Sequence, residues 1–306
     1  MSGVSQAVRE ALLRERERER RRQELLRQAT ELRFAWAKGI TTLYKLRSLD
    51  PGSRAFTLDT IKNSRVHFSS PEVFNDPFDC APPIELAGSI DDPEFRKELE
   101  DDERRSMDEA GLTQAERDSL RAQEGVPIER LAESARAHTL SALRASARIF
   151  CLAAEHRHPL MWSHYASSHT GICLHFRCDA GNVFGLAREV LYQPERKPLL
   201  IPLSRHQSAD EVTEQLVFAK ADFWHYESEY RIIAHRDSDW GYTFEEHDLV
   251  SFPPELLVGV TLGMSIRAPD RDEVIALAAA RDPPVPVSVA VQDPQRFWMD
   301  IKPLPS

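Results

Sequence analysis

The chain has 306 residues, 42% hydrophobic and 29% charged, with 49 acidic against 39 basic side chains and a formal net charge of −10. That balance is ordinary for a soluble protein with a sizeable core and argues against a role in coating nucleic acid, although a local basic groove stays open. No apolar run approaches the roughly 20 residues that span a bilayer, and the charged amino terminus has no apolar signal core. The four cysteines (Cys80, Cys151, Cys173, Cys178) do not make a disulfide framework in a chain this long. A cytoplasmic protein without membrane association is expected.

Residues 1–40 form a charged amino-terminal segment, with one long helix expected over 5–38. Leu25, Ala29, Leu32 and Trp36 recur at helical spacing. The run from Arg14 to Arg22 alternates Arg and Glu and has no apolar face, which suits a solvated helix laced with side-chain pairs. A helix that recruits a partner protein, or an arm for nucleic acid, is the alternative. Residues 41–306 read as a single domain. It opens with a strand at 42–46, a helix at 57–63 and a strand at 66–68. Ser69-Ser70-Pro71 then breaks into a loop carrying Phe74-Asn75-Asp76-Pro77-Phe78-Asp79.

Residues 90–147 turn acidic and rich in helix formers. Thr113-x-x-Glu116 is a capping-box pattern, and Pro127 suits the first turn of a helix reaching Ser146, so a helical insertion is expected here. Strand signals follow at 149–153, 171–176 and 189–192, with a short helix begun by Pro159 between the first two. Ser208-x-x-Glu211 caps a helix predicted to reach Ala221. A strand then runs from about Glu227 to His235. Strands at 257–262 and 285–291 flank a helix at 270–279. The sum is an α+β fold with a mixed, mostly antiparallel sheet.

The densest chemistry lies in Tyr226-Glu227-Ser228-Glu229-Tyr230-Arg231. Alternate strand residues share a face, so Glu227, Glu229 and Arg231 are expected on one side, with Lys220 a short way upstream. Charges leading into a buried strand are costly unless they pair or do chemistry. Both readings stand: a structural ion-pair ladder, or carboxylates tuned for catalysis. Among the histidines at 156, 158, 164, 169 and 175 and the cysteines, His164-x₄-His169 and Cys173-x₄-Cys178 come near zinc-site spacing. Cys178, however, lies beyond the strand that carries Cys173 and His175, so convergence and hence a metal are not expected. Cys151 and Cys173 sit in apolar strands, where thiols are usually inert. No glycine-rich phosphate loop is present, so a nucleotide would have to be held by side chains. The Asn75–Asp79 loop reads as an Asx turn pinned by Phe74 and Phe78, or as the border of a pocket.

Four motifs, taken together, resemble a bacterial family catalogued as Domain of Unknown Function 2971. They are Leu43-Tyr44-Lys45, Phe74-Asn75-Asp76-Pro77-Phe78-Asp79, Met161-Trp162-Ser163-His164-Tyr165-Ala166 with Gly171-Ile172, and Tyr226-Glu227-x-Glu229-x-Arg231. The resemblance covers about residues 43–263. A more distant one, to the ADP-ribosyltransferase fold, rests on Tyr44-Lys45 for a first strand, Phe150-Cys151 and Ser163–Tyr165 for a middle block, and Glu227-x-Glu229 for a late strand. It implies NAD as co-substrate, Glu229 as the catalytic carboxylate and Glu227 orienting the acceptor. Lys45 or Arg47, where that fold has His or Arg, would contact the NAD phosphate or ribose. Tyr44, Phe150, Trp162 and Tyr165 would supply stacking rings, and Ser69 and Ser163 hydroxyls. A toxin or phage-defence setting and a protein or nucleic-acid acceptor follow from the same likeness. The alternatives are a non-enzymatic sensor domain that recruits its partner through the amino-terminal helix, and a metal-dependent hydrolase using Asp76, Asp79 and the histidines.

Overall fold

A computed structural model describes residues 31–89, 91–109, 147–201, 208–235 and 245–304, with scattered positions within 21–28 and 113–141. Eight strands form the main sheet: β1 (Thr42–Arg47), β2 (Ala147–Ala153), β3 (Ile172–Arg177), β4 (Arg188–Glu189), β5 (Glu229–His235), β6 (Leu257–Leu262), β7 (Val287–Gln292) and β8 (Met299–Pro303). Their order across the sheet is β8-β7-β6-β3-β1-β2-β5-β4, and only the β6–β7 pair is parallel. The α+β class and the mostly antiparallel sheet therefore hold.

Alternation in the central strands separates two apolar layers. Ile172, Leu174 and Phe176 of β3 point into the larger core with Leu43, Phe150 and Phe68. Helices α1 (Pro51–Asn63) and α5 (Ala268–Ala279) cover this face through Ile61, Val274 and Ala278. They are tied to each other by Arg54, whose Nη1 lies 2.5 Å from Asp270 Oδ1. On the opposite face Leu46, Ala153 and Cys173 meet Met161 and Trp162 of α3 (Pro159–Tyr165).

The sheet is not zipped evenly. β1 pairs with β3 at six positions, Thr42↔Arg177 through Arg47↔Ile172, and β2 pairs with β5 at seven, Glu229↔Ala153 through His235↔Ala147. Between β1 and β2 the only pair is Tyr44↔Ala153. Beyond it β2 bonds instead to Ser69, whose N–H donates to the Ile149 carbonyl and whose carbonyl accepts from the Ile149 N–H, both at 2.9 Å. The two central strands thus splay into a wedge. Its facing strand edges carry backbone donors and acceptors that the ladder does not pair, which a central sheet position rarely tolerates without a use.

Several local expectations change. The chain is helical at Arg21, Glu24, Arg27, Gln28 and Glu31, then turns at Leu32 and Arg33, the latter at φ +59°. The helix therefore does not run on to residue 38, and most of its predicted length lies outside the described residues. In the insertion, α2 (Pro93–Glu109) is helical, whereas Glu116 of the capping box and most of the helix predicted from Pro127 lie outside the described residues; Leu140 and Ser141 of that helix are described and helical. The helix predicted to reach Ala221 is only α4 (Ala209–Thr213), followed by a π-helical turn at Glu214–Phe218 and a strand at Ala219–Ala221. Its end is enforced from outside, because Arg231 Nη1 donates to the Val217 carbonyl at 2.6 Å. Similarly, Glu227 closes a 3₁₀ turn (Asp222–Glu227), Ser228 sits at φ +45°, and the strand begins only at Glu229.

Candidate functional site in the β1–β2 wedge

The wedge holds a cleft of about 320 Å³, within the size range of small-molecule sites. Its walls come from four parts of the chain: Tyr44, Lys45 and Arg47 from β1, Ile149 and Cys151 from β2, Tyr165 from α3, and Glu227 with Glu229 at the entry to β5. Ser69 and Phe74 border it. Gly171 fixes the base of β1 here, since a Cβ at this position would lie 2.2 Å from the Arg47 carbonyl oxygen.

Beneath the cleft lies a buried ionic network. The Arg231 side chain is fully buried and grips two carboxylates, each with two bonds. Nη1 and Nη2 donate to Asp79 Oδ1 and Oδ2 at 2.9 and 2.6 Å. Nε and Nη2 donate to Glu229 Oε1 and Oε2 at 2.8 and 2.9 Å. Such fork-to-fork geometry is the strongest form of this pair and is specific to arginine. Lys220 Nζ bonds Glu227, lies 2.9 Å from Glu229 Oε2 and 3.7 Å from Asp79 Oδ2. The Tyr165 hydroxyl donates to Glu227 Oε1 at 2.5 Å, and the Glu229 N–H donates to Tyr192 Oη at 2.8 Å.

Three carboxylates thus share two cations. Burial works against the charge on Glu229, but Arg231 and Lys220 outweigh it and hold this carboxyl well below its ordinary value. For Glu227 burial wins over Lys220, and the carboxyl is raised. The divergence fits a group of three in which the best-paired acid stays ionised and the least-paired is proton-prone. Cys151, beside the network, is an inert thiol, pushed up to about 12 by burial.

The opposite wall is different. Lys45 Nζ sits 5.1 Å above the Phe150 ring centroid, and Arg47 Nε donates to Thr57 Oγ1 at 3.4 Å. Among the described residues neither cation forms an ion pair. Burial lowers the pKa of both. Two basic side chains held in a cleft without an ion-pair partner favour an anionic ligand against that wall.

Most of the residues singled out from sequence converge: Tyr44, Lys45, Arg47, Ser69, Tyr165, Glu227 and Glu229 all line the one cleft. Two do not. Trp162 is fully buried beneath α3, its Nε1 donating to the His156 carbonyl at 2.6 Å. Ser163 is exposed, with Oγ 3.1 Å from the Pro159 carbonyl oxygen and 3.2 Å from His169 Nε2. Helical rotation explains both, because Met161, His164 and Tyr165 occupy the cleft-facing stripe of α3. Phe150 packs beneath Lys45 within the larger core. Asp76 closes the predicted Asx turn, accepting from the Phe78 N–H at 2.9 Å and from Trp224 Nε1 at 2.7 Å. Phe78, however, is not pinned inside, being 57% exposed. Among the described residues no group of three or more His, Cys, Asp or Glu is arranged to hold a metal ion. Asp79, which shares Arg231 with Glu229, and Tyr192, which accepts from the Glu229 N–H, are members of the network that sequence reading did not connect to it. Only the polar run ending at Asp79 hinted at the first, and nothing local marks Tyr192.

The cleft-facing half of α3 and the whole Glu227-x-Glu229-x-Arg231 strand entry fall within residues 161–232, which match the family model DUF2971, a protein of unknown function. The likeness to that family lies in this segment. The DUF2971 match is narrower than the span over which the motifs were read, leaving β1 and the Asn75–Asp79 loop outside it. No curated protein and no solved structure matches the chain. Among the described residues no helix is long and apolar enough to cross a membrane.

Proposed function

We propose that this chain is an NAD-utilising enzyme of ADP-ribosyltransferase type, and that the β1–β2 wedge takes the dinucleotide. One observation carries the reading: two basic side chains that form no ion pair among the described residues, Lys45 and Arg47, face a carboxylate pair, Glu227 and Glu229, across a single cleft. The strands bearing Lys45, Cys151 and Glu229 are also adjacent, in the order β1-β2-β5, which is the grouping that the first, middle and late motifs require.

In this reading the diphosphate lies against Lys45 and Arg47, and the nicotinamide ribose lies toward the glutamates. Breaking the bond between ribose and nicotinamide leaves positive charge on the sugar, and the ionised Glu229 stabilises it. Nicotinamide departs as a neutral base. An acceptor hydroxyl or amine then attacks the sugar and hands its proton to the Glu227 carboxylate, whose raised pKa makes it the better base of the two. A toxin or phage-defence role would follow from such chemistry.

The test is nicotinamide release from NAD by the purified chain, with and without Glu229→Gln. The variant is expected to lose turnover by at least about a hundredfold, the usual scale for removing one electrostatic stabiliser. Release that survives the substitution removes Glu229 from the mechanism. A second reading is favoured by the full occupation of Glu229 by Arg231 and Lys220: a sensor domain that binds the nucleotide and does not split it. Saturable NAD binding without nicotinamide release would select that alternative.

A further inference from the structure

We infer that a second pocket, which shares Lys220 with the cleft, binds single-stranded nucleic acid. It encloses about 230 Å³, and its lining includes Phe78, Phe223, Arg196 and Lys197 with Lys220 as the wall shared with the cleft. Phe78 and Phe223 are 57% and 62% exposed, unusual for phenylalanine. The Arg196 guanidinium lies 5.1 Å over the Phe78 ring, and its Nη1 donates to the Ala81 carbonyl at 3.1 Å. The lining carries two exposed cations, Arg196 and Lys197, and no carboxylate, in a chain whose net charge is −10; Lys220 is taken up by Glu227 and Glu229.

Exposed rings beside exposed cations match a ligand that is both planar and anionic. Bases stack on aromatic faces while phosphates meet Arg and Lys, and neither contact requires a particular base. A duplex hides its base faces, and an acidic peptide would use the charges but leave two phenylalanines in water. The pocket also has a route to the cleft. Ring centroids step from Phe223 to Trp224 (5.8 Å), to His164 (5.8 Å) and to Tyr165 (6.2 Å), whose hydroxyl bonds Glu227. A strand seated on Phe223 would be led toward the glutamates, as an acceptor would need to be. That last step rests on the proposed NAD chemistry; the binding itself does not.

The experiment is fluorescence anisotropy with the full chain and no NAD, using labelled oligothymidylate, oligouridylate and a duplex of the same length. Both single strands are expected to bind, the duplex at least about tenfold more weakly, and Phe78→Ala and Phe223→Ala each to weaken binding on the order of tenfold. The Arg196→Ala/Lys197→Ala double variant should flatten the salt dependence. No binding at low salt overturns the inference. So does equal affinity for duplex, or unchanged affinity in Phe variants that melt like wild type. Displacement by polyglutamate as effective as by oligothymidylate would assign the pocket to acidic protein instead. Because NAD is absent, failure here leaves the nicotinamide-release result standing, and the reverse also holds.

Discussion

Two pairs of basic residues, one beneath the cleft and one on its β1 wall, are in opposite electrostatic states. Lys220 and Arg231 are buried and bound to Asp79, Glu227 and Glu229. Lys45 and Arg47 stand across the cleft with a ring and a hydroxyl for company. The first pair is accounted for by the fold itself: it holds the Asn75–Asp79 loop, the π-helical turn and the start of β5 together from one point. The second pair does nothing comparable for the fold, and burial acts against its charge. A protein keeps such groups when something outside the fold uses them. The carboxylates that drew attention in the sequence are therefore the anchored half of the site, and the cations on β1 are its responsive half.

That contrast can be broken most directly at Arg231. Arg231→Met leaves Asp79 and Glu229 buried with Lys220 as their only cation, and unfolding stability should fall by about 3–5 kcal/mol, the usual result of removing one partner of a buried pair. Urea denaturation reads it, and a loss below about 1 kcal/mol would show that the network is dispensable. The next largest effect expected is an acid limb of stability that comes from elsewhere in the molecule. His156, stacked on Tyr44 at 4.0 Å, and His175 are lowered to about 4 and about 3 by burial. Their folded values lie below the roughly 6.5 of an unfolded imidazole, so below that pH the unfolded chain binds more protons. Stability then falls on acidification, by about 1 kcal/mol per pH unit for each imidazole. His67, His158 and His169 are lowered in the same sense. Glu229 behaves differently: its depressed value means its contribution is complete above the unfolded carboxyl range and is lost only as pH drops below that range. Melting curves between pH 6.5 and 4.5 should therefore respond to His156→Phe and not to the ion pairs of Glu229.

Lys45→Met probes the other side of the comparison. Removing a cation without a counter-charge should leave stability unchanged or slightly raised, while affinity for ADP-ribose or NAD falls on the order of tenfold, the scale of one charge-assisted hydrogen bond. Titration calorimetry with matched melting curves checks both halves at once. A variant that loses stability and keeps affinity would move Lys45 into the same category as Lys220.

How much of this could be read beforehand depended on the range of the interaction. β1, β2, β3 and β6 announced themselves by alternation, and Pro159 marked the start of α3. The Glu227-x-Glu229-x-Arg231 spacing exposed the ionic segment because three charges before an apolar run are visible locally. Strands of three residues, such as Ile84–Leu86, Leu199–Ile201 and Leu249–Ser251, are too short to show a period. The helix predicted to reach Ala221 ended early because Arg231 takes a carbonyl from it, a contact spanning 14 positions in sequence. Asp79 lies 152 positions from Arg231, and no local pattern carries that pairing. The splay between β1 and β2 was equally hidden, because strand propensity does not report which neighbour a strand leaves unpaired.

Glu227 belongs to neither half cleanly, and Tyr165→Phe is the smallest change that can place it. The substitution keeps the ring at the cleft and removes one hydroxyl that donates to Oε1 at 2.5 Å. With Lys220 still bonded to the other oxygen, the stability lost should be about 1 kcal/mol, that of a single hydrogen bond. The carboxyl would also lose a donor that favours its charged form, so its already raised pKa should rise further. If Glu227 acts on an acceptor in the cleft, that shift will appear as a displaced acid limb in the pH profile of turnover while NAD affinity stays unchanged. If Glu227 only completes the ionic network, the variant will lose the same stability and the profile will not move. One hydroxyl thus separates an anchored carboxylate from a working one without disturbing the charges on either wall.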